Sequence, residues 1–318
     1  MSHGIALLIA LAFLAYALCT RRLGRTVLTG PLLFAALGFA LGPAGLHWVD
    51  FGFGNGTASG QGLHDGPLFV LAEITLVLVL FTDAASTDLG TLSRVRSVPT
   101  RMLLIGLPLA VALGTLGAAL IFPALSIWEA ALLAAILAPT DAALSQPVIE
   151  NEAVPSRIRA AITTESGVND GLALPAVLLF AALAAGANEQ GAAGWAGFVT
   201  QQLVFGPLAG VLVGGGGGWL IQRAWSAGWM DEWAEGLAAL TIALSAFLLA
   251  ETLHGNGFLA AFVGGLAMAR MLGKRCRYAY EFQQSEAHIL VLGTFFLVGA
   301  LMLPAAAEHL TWWCAVHA

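Results

Sequence analysis

The chain has 318 residues, of which 58% are hydrophobic and 10% are charged, whereas about 25% of the residues of a typical soluble domain are charged. This composition excludes an ordinary soluble protein and predicts an all-α polytopic membrane protein embedded in the lipid bilayer. The net charge of −6 says little about partners, and nucleic acid is not an expected ligand. The three cysteines are an odd number without CxxC spacing, so they predict neither a disulfide framework nor a structural zinc site.

Ten apolar stretches are long enough to cross a hydrocarbon core of ~30 Å, which takes about 17 to 25 residues. They cover residues 4–20, 26–42, 67–86, 101–122, 128–149, 158–186, 195–222, 234–253, 256–272 and 286–304. A cleaved signal peptide carries Lys or Arg before its apolar segment. No Lys or Arg precedes the first stretch, so this stretch is predicted to be a retained helix.

The thirteen Lys and Arg residues all lie between an odd-numbered stretch and the next even-numbered one, or within three residues of those two ends. They are Arg21, Arg22, Arg25, Arg94, Arg96, Arg101, Arg157, Arg159, Arg223, Arg270, Lys274, Arg275 and Arg277. Because basic residues are enriched in cytoplasmic loops, this alternation predicts that the N-terminus lies outside.

The fifth stretch carries Pro139, Thr140 and Asp141, with a second proline at Pro147. A proline lacks an N–H and crowds the carbonyl four residues earlier, so the helix is predicted to break or kink near its middle. Within lipid, such backbone persists only where it is buried in protein or lines a polar cavity. The pattern predicts an interrupted helix at Pro139–Asp141 whose freed backbone groups can bind an ion; the alternative is a plain kink with Asp141 in a water-filled crevice.

The sixth stretch carries Glu165, Ser166, Asn169 and Asp170. At about 100° per residue, Ser166 and Asp170 share one helix face, and Glu165 and Asn169 share the adjoining one. At a rise of ~1.5 Å per residue, these two carboxylates and Asp141 lie about 14 to 21 Å from the loop joining the two stretches. We therefore expect all three near the middle of the bilayer, where they can share one cavity.

A carboxylate in hydrocarbon costs roughly 2.5 to 3.5 kcal/mol, so acidic residues there indicate an ion or proton pathway. Hard oxygen ligands suit Na⁺ and also accept Ca²⁺ or Mg²⁺. Several carboxylates in one such cavity cannot all stay ionised unless a cation is bound. A proton and a metal ion then compete for the same charge, which is the physical basis of an exchanger.

At these residues the chain resembles the bacterial NhaP-like sodium/proton antiporters of the monovalent cation:proton antiporter superfamily. The likeness extends over nearly the whole chain, and the pair PTD and ESGVNDG is its most specific part. The other matching segments are GPLLFAALGFALGP, EITLVLVLFTDAASTDL, HGNGFLAAFVGGLAMA and FFLVGALMLP.

The resemblance implies antiport of Na⁺, or of Li⁺ or K⁺, against H⁺ by alternating access, without a cofactor and without enzymatic activity. It makes Asp170 the principal cation and proton carboxylate. The residues that complete the site are Asp141, Glu165, Ser166 and the Thr140 carbonyl, with Pro139 in a supporting role. It implies Na⁺ bound at Asp141, Ser166 and Asp170, and Asn169 fits the variant that goes with electroneutral exchange.

The resemblance also implies an inverted-repeat fold, a homodimer and a place in the bacterial inner membrane. It divides the chain into scaffold and dimerisation helices at 1–100, core ion-binding helices at 101–186, and helices of the scaffold side and of the second repeat at 187–304. After FFLVGALMLP the family pattern continues with about three more helices, whereas this sequence ends with a tail at 305–318. We therefore expect a truncated or incomplete antiporter, with an inactive form of this chain as an alternative to transport by itself.

Two other classes of protein were weighed against an antiporter, in addition to a non-transporting membrane fragment. Carboxylates at the midplane also build cation channels, but the repeated filter that a channel usually needs is not visible. An intramembrane enzyme would need a motif such as HExxH or GxSxG, and neither occurs in the sequence.

Other polar and small residues receive structural interpretations. Glu73 and Glu251 fit either a pathway entrance or simple interfacial placement, while His254 and Asn256 are assigned to a tight turn without chemistry. His288 is a weaker candidate for a proton sensor. The run Gly214–Gly218 lacks the GK[ST] ending of a phosphate loop and is predicted to allow close helix packing.

Overall fold

The computed structural model of the protein describes residues 3–23, 28–43, 45–46, 48, 67–86, 101–139, 153–155, 158, 162, 173, 176–185, 191–273 and 277–307. This described part is helical and contains no strand. An all-α fold was predicted from the composition, and it is confirmed.

Nine α-helices have defined bounds in this part of the chain. They are α1 (His3–Leu23), α2 (Gly30–Leu41), α3 (Pro67–Ser86), α4 (Leu107–Ile121), α5 (Ile127–Leu137), α6 (Gly191–Ser226), α7 (Glu232–Thr252), α8 (Gly257–Leu272) and α9 (Arg277–Ala307). Residues 176–184 are also helical.

A short π-helix, Met102–Gly106, leads directly into α4. The N–H of Leu107 donates to the carbonyl of Met102, one residue further back than in an α-helix. Pro108 follows, and its missing N–H cannot serve the carbonyl of Leu104. The wider π turn therefore occurs where a proline interrupts the regular hydrogen-bond pattern.

Five helices of the described residues are long and apolar enough to cross a membrane. Their apolar segments are Phe69–Ser86, Leu104–Ile121, Thr200–Ser226, Trp233–Thr252 and Ala287–Pro304, and four shorter apolar helices accompany them. This count is lower than the ten predicted spans, partly because the stretches at 128–149 and 158–186 are only partly described.

Two predicted boundaries were wrong. The predicted connection before the tenth stretch is helical from Arg277 onwards, so α9 begins nine residues earlier than expected. The seventh stretch, predicted at 195–222, extends over Gly191–Ser226. Both helices continue beyond their apolar segments, through RYAYEFQQS before the tenth stretch and through GAAG and RAWS on either side of the seventh, which hydropathy alone does not detect.

The chain forms two compact units, which are Met1–Thr75 with Ser285–Thr311 and Leu76–Gln284 with Trp312–Ala318. In the first unit, buried side chains of α2 and α9 form one core around Phe34, Leu41, Leu292 and Phe296. The ring of Phe13 meets Phe34 edge-on, with centroids 4.5 Å apart. At Gly38 the backbones of α2 and α9 are in direct contact, and an added Cβ would collide with the carbonyl of Phe296.

In the second unit, α6 and α8 approach each other along four glycines that are spaced four residues apart on α6. The glycines are Gly206, Gly210, Gly214 and Gly218, and their near neighbours include, in that order, Asn256 immediately before α8 and Ala260, Gly264 and Met268 on α8. Residues four apart share one helix face, and small residues there allow two backbones to approach closely. The packing role predicted for the glycine run is thus confirmed at Gly214 and Gly218.

The residue numbers of the glycines on α6 and of their neighbours on α8 increase in the same direction along the contact, so the two helices run parallel. The helix between them, α7, contributes Ala246 and Ala250 to a buried alanine cluster with Ala209 and Ala260. Alanine and glycine side chains occupy little volume, so this three-helix arrangement is held by close backbone packing rather than by large side chains.

Candidate functional site

Helix α5 leads towards the predicted ion site, and its start is set by a capping box. The Ser126 hydroxyl accepts a hydrogen bond from the Glu129 N–H at 3.3 Å, and the Glu129 carboxylate accepts one from the Ser126 N–H at 2.7 Å. Both bonds satisfy N–H groups that a helix start leaves free. This S-x-x-E pattern is present in the sequence and predicts the helix start, which hydropathy alone does not locate.

The end of α5 coincides with the predicted interruption. The helix ends at Leu137, and the half-buried Pro139 follows after one residue. Because Pro139 has no N–H, it cannot donate to the carbonyl of Ala135. Eleven residues span about 16 Å, roughly half of the ~30 Å hydrocarbon layer.

The electrostatics of this helix end suit a cation. The last carbonyls of a helix have no intrahelical donors, and they carry the negative end of the helix dipole, equivalent to about half a charge. One face of α5 is buried through small side chains, including Ala130 and Ala134. In particular, Gly114 of α4 lies so close to Ala134 that an added Cβ would be 3.0 Å from the Ala134 Cβ.

Of the sequence-predicted site residues, the described part of the chain includes Pro139. The remaining ones, Thr140, Asp141, Glu165, Ser166, Asn169 and Asp170, lie outside the described residues. Their shared cavity and their roles stay predictions. Among the residues that are described, no group of three or more His, Cys, Asp or Glu side chains could hold a metal ion.

The turn between α7 and α8 has a structural role. Asn256, which is buried, caps α8 by accepting a hydrogen bond from the Leu259 N–H at 2.8 Å. Glu251 accepts from the Gly257 N–H at 3.0 Å, and His254 has a left-handed backbone conformation with φ 55°. The assignment of His254 and Asn256 to a tight turn is confirmed, and Glu251 is used within the same turn.

Threonines inside the apolar helices differ in a way that the sequence analysis missed. Thr75, Thr115 and Thr241 each donate to the carbonyl four residues earlier, at 2.6 to 2.8 Å. Thr75 also lies 3.1 Å, between hydroxyl oxygens, from Thr294. Thr82 is 3% exposed, and its hydroxyl finds no hydrogen-bond partner in the described structure. Its place in a largely apolar helix does not distinguish it from the others.

Comparison with protein families gives a match over residues 9–318 to the family described as sodium/hydrogen exchanger, transmembrane. The chain belongs to this family. The resemblance drawn from PTD and ESGVNDG is thereby confirmed, and the family is one of transporters with membrane-spanning helices.

Individual relatives of this exchanger-family chain cover parts of it. A Mycobacterium bovis protein named as an uncharacterized Na⁺/H⁺ exchanger is 31% identical over 57% of the chain and 33% of its own length. The K⁺/H⁺ antiporter NhaP2 of Shewanella oneidensis is 26% identical over 55% of the chain and 30% of its own length. NhaP2 of Shewanella sp. strain ANA-3 is 24% identical over 89% of the chain and 46% of its own length.

These matches cover between about a third and a half of the relatives' length. Family membership together with five helices long enough to span a bilayer makes the chain an integral membrane protein.

Proposed function

We propose that this protein exchanges Na⁺, or another monovalent cation, for H⁺ across the membrane by alternating access. The observation that carries the proposal is the presence of three carboxylates, Asp141, Glu165 and Asp170, in the two consecutive apolar stretches of a sodium/hydrogen exchanger family member. Relatives named as Na⁺/H⁺ exchangers and as K⁺/H⁺ antiporters support the class of ion and leave the choice of cation to experiment.

The end of α5 supports the position of the site. The helix begins with an exposed capping box and ends at Leu137, about 16 Å further along. If the capping box lies near the membrane surface, Asp141 follows the helix end at mid-depth. A cation there is attracted by the carboxylates and by the negative end of the α5 dipole.

The coupling follows from the cost of charge in lipid. An empty site with ionised carboxylates is expensive to move through hydrocarbon, at roughly 2.5 to 3.5 kcal/mol for each charge. Binding either a cation or a proton offsets that cost, so the site changes sides when one of them is bound. In this scheme Asp170 exchanges the proton, and Asp141, Glu165, Ser166 and the Thr140 carbonyl complete the ion coordination.

Further parts of the proposal concern stoichiometry and assembly. Asn169 beside Asp170 is proposed to make the exchange electroneutral, with one positive charge carried in each direction. We also propose an inner-membrane location with the N-terminus outside, a homodimer, and core helices at 101–186 between scaffold segments at 1–100 and 187–304.

A pH-gradient assay in everted vesicles tests the function. Na⁺, K⁺ and Li⁺ are added in turn to vesicles that hold an acidic interior, and dissipation of the gradient reports exchange. The assay is run on the 318-residue chain and on a version extended by the downstream reading frame, because the matched relatives are longer. The rate of exchange is expected to be the same with and without a clamped membrane potential, because electroneutral transport moves no net charge, whereas electrogenic exchange would be faster under the clamp.

The variants Asp170→Asn and Asp141→Asn are expected to reduce exchange to the level of vesicles without the protein. Asp231→Asn is the matched control, since it makes the same chemical change at the exposed residue preceding α7, whose side chain makes no capping hydrogen bond. Normal exchange by Asp170→Asn in a version whose unsubstituted form is active would refute the site assignment. Cation flux that moves charge without moving protons would indicate a channel instead.

A further inference from the structure

The connection between α6 and α7 lies at a membrane boundary whichever way the protein is oriented. It joins two helices whose segments Thr200–Ser226 and Trp233–Thr252 are both long enough to span a bilayer. Helix α6 ends at Ser226 and α7 begins at Glu232. A connection this short cannot extend far from the bilayer, so its residues lie in or beside the headgroup layer.

Backbone hydrogen bonds hold this connection in a defined conformation. The Trp229 N–H donates to the Ala224 carbonyl at 2.9 Å, and the Gly228 N–H donates to the Trp225 carbonyl at 3.1 Å. Gly228 has φ 69°, the left-handed conformation that ends many helices. The indole of Trp229 is therefore attached to an ordered turn, although it is 79% exposed.

Three more tryptophans lie near the same end of the two helices. Trp219 and Trp225 are on the last turns of α6, and Trp233 is on the first turn of α7, where it is 69% exposed. The Arg223 guanidinium carbon lies 5.8 Å from the ring centroid of Trp219. Within the described part of the chain, no carboxylate pairs with this guanidinium.

We infer that this end of the α6–α7 hairpin binds the headgroup of an anionic phospholipid. Indole rings favour the membrane interface because they combine an apolar body with an N–H donor. Arg223 supplies a positive charge that pairs with no carboxylate of the described residues, in a forked geometry that matches phosphate. The stacked Trp219 ring orients that fork, and Trp229 and Trp233 occupy the surrounding headgroup and upper acyl region. This inference does not depend on the transport activity.

Fluorine NMR of the full chain, labelled with 5-fluorotryptophan in micelles, tests the inference. Signals are assigned with single Trp→Phe variants, and the protein is titrated with phosphatidylglycerol or with phosphatidylcholine. The Trp219 and Trp229 signals are expected to shift saturably, at a lower concentration of phosphatidylglycerol than of phosphatidylcholine. Arg223→Gln is expected to weaken the preference for phosphatidylglycerol about fivefold, the factor for one basic residue at an anionic surface.

Arg270→Gln is the matched control because it removes one positive charge from an exposed residue in the last turn of α8. It is expected to change the preference less than twofold. Unchanged signals from the other tryptophans report that each variant is folded. An equal effect of both substitutions, or no effect of Arg223→Gln, would overturn the inference. So would Trp229 shifts that follow protein concentration instead of lipid, since they would indicate contact with a second copy of the chain.

Discussion

Replacing Gly214 with alanine tests the close packing between α6 and α8. Gly214 is buried, and an added Cβ would collide with the carbonyl oxygen of Gly264. It would also lie 2.6 Å from the Gly264 Cα and 2.7 Å from its carbonyl carbon. Carbon atoms prefer separations of about 3.5 to 4.0 Å, so the two helices must move apart by about 1 Å.

The expected cost follows from this geometry. Overpacking a tight contact destabilises a protein by about 1 to 3 kcal/mol. Alanine also stabilises the interior of a helix relative to glycine, by roughly 0.5 to 1 kcal/mol. Gly216, two residues away in the same run, is exposed, and an added Cβ there would meet no atom within 4 Å. Gly216→Ala is therefore expected to gain the stabilisation of the helix by alanine without the cost of overpacking.

The free energy of unfolding of both variants is measured in mixed micelles containing increasing amounts of a denaturing detergent. Both variants gain the same stabilisation from replacing a helical glycine with alanine. The difference between their free energies of unfolding therefore gives the cost of overpacking. Gly214→Ala is expected to be less stable than Gly216→Ala by about 1 to 3 kcal/mol. Equal stability of the two variants would refute the contact between α6 and α8 at this position.

Four further substitutions test individual polar side chains by the same unfolding measurement. Thr82→Val replaces a buried hydroxyl that is unpaired in the described structure, and it is expected to stabilise the protein by about 1 kcal/mol or more. Thr75→Val loses the contact with Thr294 and is expected to destabilise the protein by about 0.6 kcal/mol. If Thr82→Val destabilises the protein as Thr75→Val does, the assignment of Thr82 is wrong. Ser126→Ala removes the capping box of α5 and is expected to cost about 1 kcal/mol, with Ser126→Asp, which can still cap, as the control. Asn256→Ala is expected to lower the free energy of unfolding by about 1 to 2 kcal/mol, while Asn256→Asp retains the cap to the Leu259 N–H. If Asn256→Ala left the stability unchanged, the capping role would be contradicted.

Hydropathy in the sequence is sufficient to predict where most helices lie, because a span of lipid imposes a minimum apolar length on each of them. The stretch predicted at 67–86 has the bounds of α3, and the stretches at 234–253 and 256–272 agree with α7 and α8 to within two residues. The end of α5 before Pro139 is predictable for a similar reason. A missing N–H is a property of one residue, and it acts within a single helical turn.

Contacts between helices could be recognised only in the tertiary structure. The run Gly214–Gly218 consists of identical residues, yet Gly214 meets backbone of α8, Gly217 meets the side chain of Ile242, and Gly216 faces open space. The hydroxyls of Thr75 and Thr82 likewise lie in similar apolar contexts but differ in their partners. A sequence specifies local conformation through neighbouring residues, whereas the neighbours of a packed helix face belong to segments that are distant in the chain. Which glycine is indispensable is therefore decided when α8 packs against α6.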